Sequence, residues 1–203
     1  LVLLFCILFS LPAIYYIFVL DINFLTAGTP GFVDGNSIGL SFNFSNKILI
    51  ISSIIFFHLI PFLINKEFII DFIDWVKKNL IFVMFFFIVN LIFFDYLVRF
   101  TGGGFFFQIS NYLIANNSIF YLFSFISLLV LGYFTRNNLN NLIIFILLIL
   151  SNIQNTIYHK YYDPLIMILF FTIIQSSVQK DFLKNKINLI NVYIFYLIFI
   201  TMR

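Results

Sequence analysis

SIFYLFSFISLLVLGYF, residues 118–134, contains no acidic or basic side chain, no histidine and no proline. A hydrocarbon core is crossed by about 20 mostly apolar helical residues, fewer where flanking side chains reach back toward the headgroups. The apolar residues here run continuously instead of alternating at every second position, which selects a helix over a barrel strand. Six further runs of this kind lie at 1–20, 48–64, 80–98, 142–157, 164–178 and 187–202. The expected fold class is therefore all-α, a polytopic transmembrane helix bundle of about seven spans.

Composition agrees with that reading. The chain is 63% hydrophobic and 9% charged, with a mean hydropathy of +1.09, whereas ordinary soluble domains carry about 25% charged residues. The lipid bilayer is thus an expected partner. The 32 phenylalanines, with abundant Ile, Asn and Lys, are the vocabulary of AT-rich coding and are not read as a binding feature. A formal net charge of +3 is scattered over short loops, so there is no basic face for nucleic acid. Cys6 has no partner for an intrachain disulfide, and neither CxxC nor a histidine cluster is present, so a divalent metal has no support in the sequence and no cofactor is identified. Residues 1–203 are expected to form a single transmembrane domain, a fragment lacking N-terminal segments. Leu1 already lies in an apolar run with no basic stretch before it and no small-residue cleavage site after it, unlike a signal peptide.

Residues 66–79, KEFIIDFIDWVKKN, place Ile69, Phe72, Ile73 and Val76 on one helical face and Glu67, Asp71, Asp74 and Lys78 on the other. That pattern predicts one amphipathic interfacial helix with Trp75 at headgroup depth. Basic residues in alternate loops set orientation. Loops two, four and six carry Lys66, Lys77, Lys78, Arg136, Lys180, Lys184 and Lys186, against Lys47, Arg99 and Lys160 in the others. The N-terminal end is then cytoplasmic, and loops 21–47, 99–117 and 158–163 are extracytoplasmic.

The densest polar cluster is TIYHKYYDPL, residues 156–165. Pro164 suits the first turn of a helix, Asp163 suits its N-cap, and tyrosines suit an aromatic belt. His159 and Lys160 are not explained by caps or belts. A lysine and a titratable imidazole beside a helix N-terminus make a positive potential suited to a phosphate. In FFDYLVRFTGGGFFFQ, residues 93–108, Asp95 and Arg99 are spaced i, i+4 and can pair along a helix face, either as a membrane-end ion pair or as part of a site. Gly102, Gly103 and Gly104 terminate that helix and fit no phosphate-loop spacing. Asp34 in the first loop is a turn residue or a general base. His58, one turn before Pro61, is a hydrogen-bonding residue at a kink or a proton relay. Asn90, Asn152, Gln154 and Gln175 read as interhelical glue.

With Asp95, Arg99, the glycines and YHKYYDPL quoted, the chain resembles the C-terminal membrane half of GT-C type glycosyltransferases. The resemblance implies sugar transfer from a polyprenyl-phosphate-linked donor at the extracytoplasmic face of a bacterial inner membrane. Arg99, His159 and Lys160 would contact the phosphate, with Tyr161 and Tyr162 against prenyl or sugar and Asp95 alongside. Asp34, Asp163 and His58 would be accessory, and the catalytic acid of such enzymes would lie upstream of Leu1. A secondary transporter, permease or polysaccharide flippase subunit is the competing reading. Transporters place polar groups at the bilayer midplane on broken helices, and in the sequence His58 and Pro61 alone suit that position.

Overall fold

The computed structural model describes residues 43–64, 66–97, 102–152, 156–176, 178–179, 182 and 186–201, together with Leu11 and Tyr15, both helical. The rest of the expected first span, Asp34 and its loop, Arg99 and Gln154 lie outside the described residues. The chain divides into two compact units, Leu1–Phe42 with Ile153–Thr156, and Asn43–Asn152 with Ile157–Arg203. The helices that follow all belong to the second unit. The regular elements among its described residues are helices, with no strand.

Helix α1, Phe44–Leu59, begins where the Asn43 side chain accepts from the Asn46 amide at 3.2 Å. Thirteen of its 16 residues are buried, so α1 is the central helix. The sequence places Pro61 at a kink within a span at 48–64; instead the helix stops at Leu59 and a 3-10 turn, Ile60–Phe62, carries the proline. A proline lacks the N–H that the next helical bond needs, and its ring crowds the preceding turn.

Helix α2, Lys66–Ile92, corrects the separation of an interfacial helix from a third span, since the two are one helix of 27 residues, about 40 Å long. No glycine or proline interrupts residues 66–92, so the polar helix propagates into the apolar one. Trp75 packs edge-on against Tyr133 and over Gly132, where an added Cβ would come within 2.7 Å of the indole. It is a packing residue on a neighbouring helix. Asn90 donates to Phe86 O of its own helix at 2.8 Å and so is not interhelical glue.

The apolar run at 80–98 predicts a third span reaching Val98, with Asp95 on its face. The helix ends at Ile92 and Asp95 is non-helical. Its carboxylate accepts from Asn43 Nδ2 at 2.7 Å and Asn46 Nδ2 at 2.6 Å, while its amide donates to Asn46 Oδ1 at 3.0 Å. These bonds hold the chain off the helical path and fasten the end of α2 to the start of α1. Asn46 is 5% exposed, so Asn46→Ala is expected to cost about 1–2 kcal/mol, read as a lower thermal midpoint of the full chain in detergent.

Helix α3, Gly104–Ile114, and helix α4, Ser118–Thr135, form a hairpin. Ser110 Oγ donates to Asn116 O at 2.6 Å and accepts from the Phe120 amide at 3.2 Å. Phe106 stacks on Phe123 with ring centroids 4.1 Å apart, and Phe107 and Phe120 are fully buried. Ser124 donates to Leu49 O on α1 at 3.3 Å. A polar turn at 136–138 leads into helix α5, Leu139–Leu150, capped by Asn138. Helix α6, Asp163–Thr172, and helix α7, Lys186–Thr201, complete the unit.

Phe44–Phe62, Phe68–Ile92 and Ser118–Thr135 are long and apolar enough to cross a membrane, and α2 exposes Ile81, Phe82 and Phe85 along its flank. These features give a membrane-associated helical protein. The runs at 142–157 and 164–178 contain shorter helices than their apolar lengths suggest. Asn141 Nδ2 donates to Gln175 O at 2.9 Å, its Oδ1 accepts from the Gln175 amide, and Gln179 donates to Phe170 O. Side-chain amides thus take backbone groups that further helix would have used.

Candidate functional site

Four elements bring ionisable side chains to one point. His58 stands on the last turn of α1, fixed by the stop at Pro61. His159 lies on a 3-10 turn, His159–Tyr161, and Asp163 opens α6, with Pro164 in its first turn. Tyr196 comes from α7. Asp163 Oδ1 lies 3.0 Å from His58 Nε2 and 3.1 Å from His159 Nε2, and His58 Nδ1 lies 2.8 Å from the Tyr196 hydroxyl. The side chains of His58, His159 and Asp163 are 1%, 14% and 32% exposed.

This arrangement corrects one reading and completes another. Asp163 does not cap α6: its carboxylate turns to the two imidazoles, and Tyr162 precedes the helix without a side-chain cap. The expected hydrogen bond from His58 to a neighbouring helix is present, to Tyr196. Tyr196 carries no signal in the sequence beyond being a hydroxyl within the apolar run at 187–202.

The walls are aromatic. The Phe57 ring stands edge-on to His159 at 5.1 Å, and Phe199 lies 5.7 Å from the same imidazole. Phe105 and Phe195 pack on Phe57 at 4.7 and 5.0 Å. Such surroundings strengthen every electrostatic contact inside them and raise the cost of a polar atom left without a partner.

The floor is set by the glycines. Gly103 and Gly104 have φ of +94° and +77°, which L side chains rarely adopt. The Gly103 amide donates to Ile157 O at 2.9 Å, and the Tyr96 hydroxyl accepts from the Ile157 amide at 3.2 Å. A Cβ on Gly104 would lie 4.0 Å from His159 Nδ1. The glycine segment and the HKYYDP junction therefore meet.

Other candidates stand apart. Lys160 is exposed, with its ammonium over Tyr158 and Tyr161 at 5.2 and 5.5 Å. Tyr161 is half-exposed, whereas Tyr162 is buried and its hydroxyl accepts from Asn152 at 3.3 Å. Asp95 docks at Asn46, twelve residues before His58 on α1, a rise of about 18 Å along the helix.

Chemically, a carboxylate shared by two imidazoles can orient a general base, pass a proton, or hold a cation. Comparison with protein-family models, with curated proteins and with solved structures yields no match.

Proposed function

We propose that the chain is the donor-binding membrane half of a transferase that moves a sugar from a polyprenyl-phosphate carrier, with the Tyr158–Asp163 junction as the phosphate end of the site. The observation that carries this reading is the ionisable cluster of His58, His159 and Asp163, two of whose members share one short junction with the exposed cation Lys160. Ionisable groups at membrane depth are costly and mark function by default. As the glycosidic bond breaks, charge grows on the departing phosphate, and fixed cations aimed at it stabilise the transition state more than the ground state. Tyr158 and Tyr161 hold Lys160 by cation–π contact, a preorganised position for such a charge. An apolar groove of about 420 Å³ lined by Ile48, Ser52, Phe86, Leu128, Phe145 and Ile149 offers an isoprenoid tail a surface between α1, α2, α4 and α5. The seven apolar runs, two of which hold helices too short to cross alone, and the seven-to-three excess of basic residues in alternate loops support an extracytoplasmic junction.

Lys160→Ala and Arg99→Ala, introduced in the full-length protein, are expected to abolish sugar transfer from a radiolabelled polyprenyl-phosphate donor in proteoliposomes. Thermal midpoint and membrane insertion should stay unchanged. Normal turnover in both variants would remove the phosphate-site reading.

The transport reading gains one specific observation. His58 is 1% exposed within a candidate span, and its partner Asp163 opens a ten-residue helix after a break, the setting in which transporters bind ions on discontinuous helices. Substrate-dependent proton uptake into proteoliposomes, without any sugar transfer, would favour it.

A further inference from the structure

Beyond the reading above, and independent of it, we infer that His58 Nε2, His159 Nε2 and Asp163 Oδ1 are the protein ligands of a divalent first-row transition ion, with zinc the ion this set suits best. The three ligand atoms lie within 4.8 Å of one another, and the two nitrogen–oxygen separations are 3.0 and 3.1 Å. Around a tetrahedral zinc with bonds of about 2.0–2.1 Å, neighbouring ligand atoms sit roughly 3.3 Å apart. The two nitrogen–oxygen separations fall within a few tenths of an ångström of that spacing.

Direction says the same. All three atoms are buried, and none has a hydrogen-bond partner in the protein although the distances would allow one. The donors and acceptors are near each other without being aimed at each other. Buried polar atoms left so are rare, because each costs the water it gave up. A cation drawing on all three lone pairs removes that cost at these atoms and leaves His159 Nδ1, also without a partner, the one orphan of the cluster among the described residues.

Tyr196 accommodates the tautomer this requires. Its hydroxyl lies 2.8 Å from His58 Nδ1 and 3.6 Å from Met167 Sδ, so it can accept from a protonated Nδ1 while its own proton turns to the sulfur. In that tautomer of the neutral ring Nε2 is a bare lone pair facing the Asp163 carboxylate. Two acceptors at 3.0 Å repel, and an ion between them turns that repulsion into coordination. An outer partner that places the imidazole proton on the remote nitrogen is the usual support of a ligating histidine.

The ligand chemistry narrows the ion. Two imidazoles and one carboxylate suit zinc or iron(II), whereas calcium and magnesium take oxygen ligands. Three protein ligands leave a fourth position for water or a substrate oxygen. The partial exposure of His159 and Asp163 supplies the access, and His58 is the anchor.

The test uses the full chain in detergent, stripped with chelator and titrated with zinc or cobalt(II). The expected result is one equivalent bound, with the cobalt form showing visible d–d bands of low-coordinate nitrogen and oxygen ligation. His159→Gln and Asp163→Asn should each weaken zinc binding at least about 100-fold, and Tyr196→Phe by about 10- to 100-fold. Circular dichroism checks that each variant keeps its helices. Absence of zinc binding, a cobalt spectrum of the hydrated ion, or unchanged affinity in folded His159→Gln and Asp163→Asn would overturn the site. The cobalt spectrum is read on the unaltered protein, so misfolding of a variant has no bearing on it. Zinc binding without sugar transfer would keep this site and remove the transferase. Transfer by a protein that binds no zinc would do the reverse.

Discussion

Gly103→Ala is expected to lower the thermal midpoint of the full chain in detergent more than any other single methyl addition described above. A Cβ there would lie 2.2 Å from Phe107 Cδ1, and Phe107 is fully buried among Phe94, Tyr96 and Phe120, so the ring has nowhere to swing. Left-handed backbone costs an L residue about 1–2 kcal/mol, and overpacking a filled core adds about 1–3 kcal/mol. The sum, about 3 kcal/mol, is a large share of what holds a small domain together. Combining Gly103→Ala with Phe107→Leu should restore part of the loss, because the two positions share one contact. Equal midpoints for wild type and Gly103→Ala would show that the turn has another shape.

Asp163→Ala should have a comparable effect by a different route. It removes the carboxylate that both imidazoles face and leaves His58 Nε2 and His159 Nε2 against an aromatic wall. A buried polar group without a partner costs about 1–3 kcal/mol; with two such nitrogens, and one third of the Asp163 side chain exposed, the expectation is about 2–3 kcal/mol. Asp163→Asn keeps the shape and removes the charge, so it should lose less stability than the alanine variant while losing the same function. Chemical denaturation of both variants reads the difference, and identical stability of Asp163→Ala and wild type would show that the cluster contributes nothing to the fold.

Much of the helical framework was legible because long apolar runs have few alternatives. The run at 118–134 matches α4 nearly end to end, and the one at 187–202 matches α7. What the sequence hid were helix ends decided by distant partners. Nothing local says that Asn43 and Asn46 will take Asp95 and end α2 early, or that Asn141 and Gln175 will trade backbone bonds. Residues 66–92 misled for the opposite reason: two periodicities adjoin, and without glycine or proline between them the backbone joins what the polarity divides.

The site was legible in halves. The HKYYDP stretch stood out by composition and His58 by its solitude, yet about a hundred residues separate them. Asp163 had a good local role as a helix cap, and the tertiary contact with two imidazoles displaced it. Tyr196 is invisible in a row of aromatics until α7 is laid beside α1.

Helix α5, with 12 residues, is about 18 Å long, and α6, with ten, about 15 Å, against roughly 30 Å of hydrocarbon. A helix of that length would stop short of a full crossing, and any carbonyls or amides it left at depth would persist only where protein shelters them or water reaches them. Neither helix can therefore cross by itself, and the loop that carries His159 joins a pair whose ends need cover from the rest of the bundle.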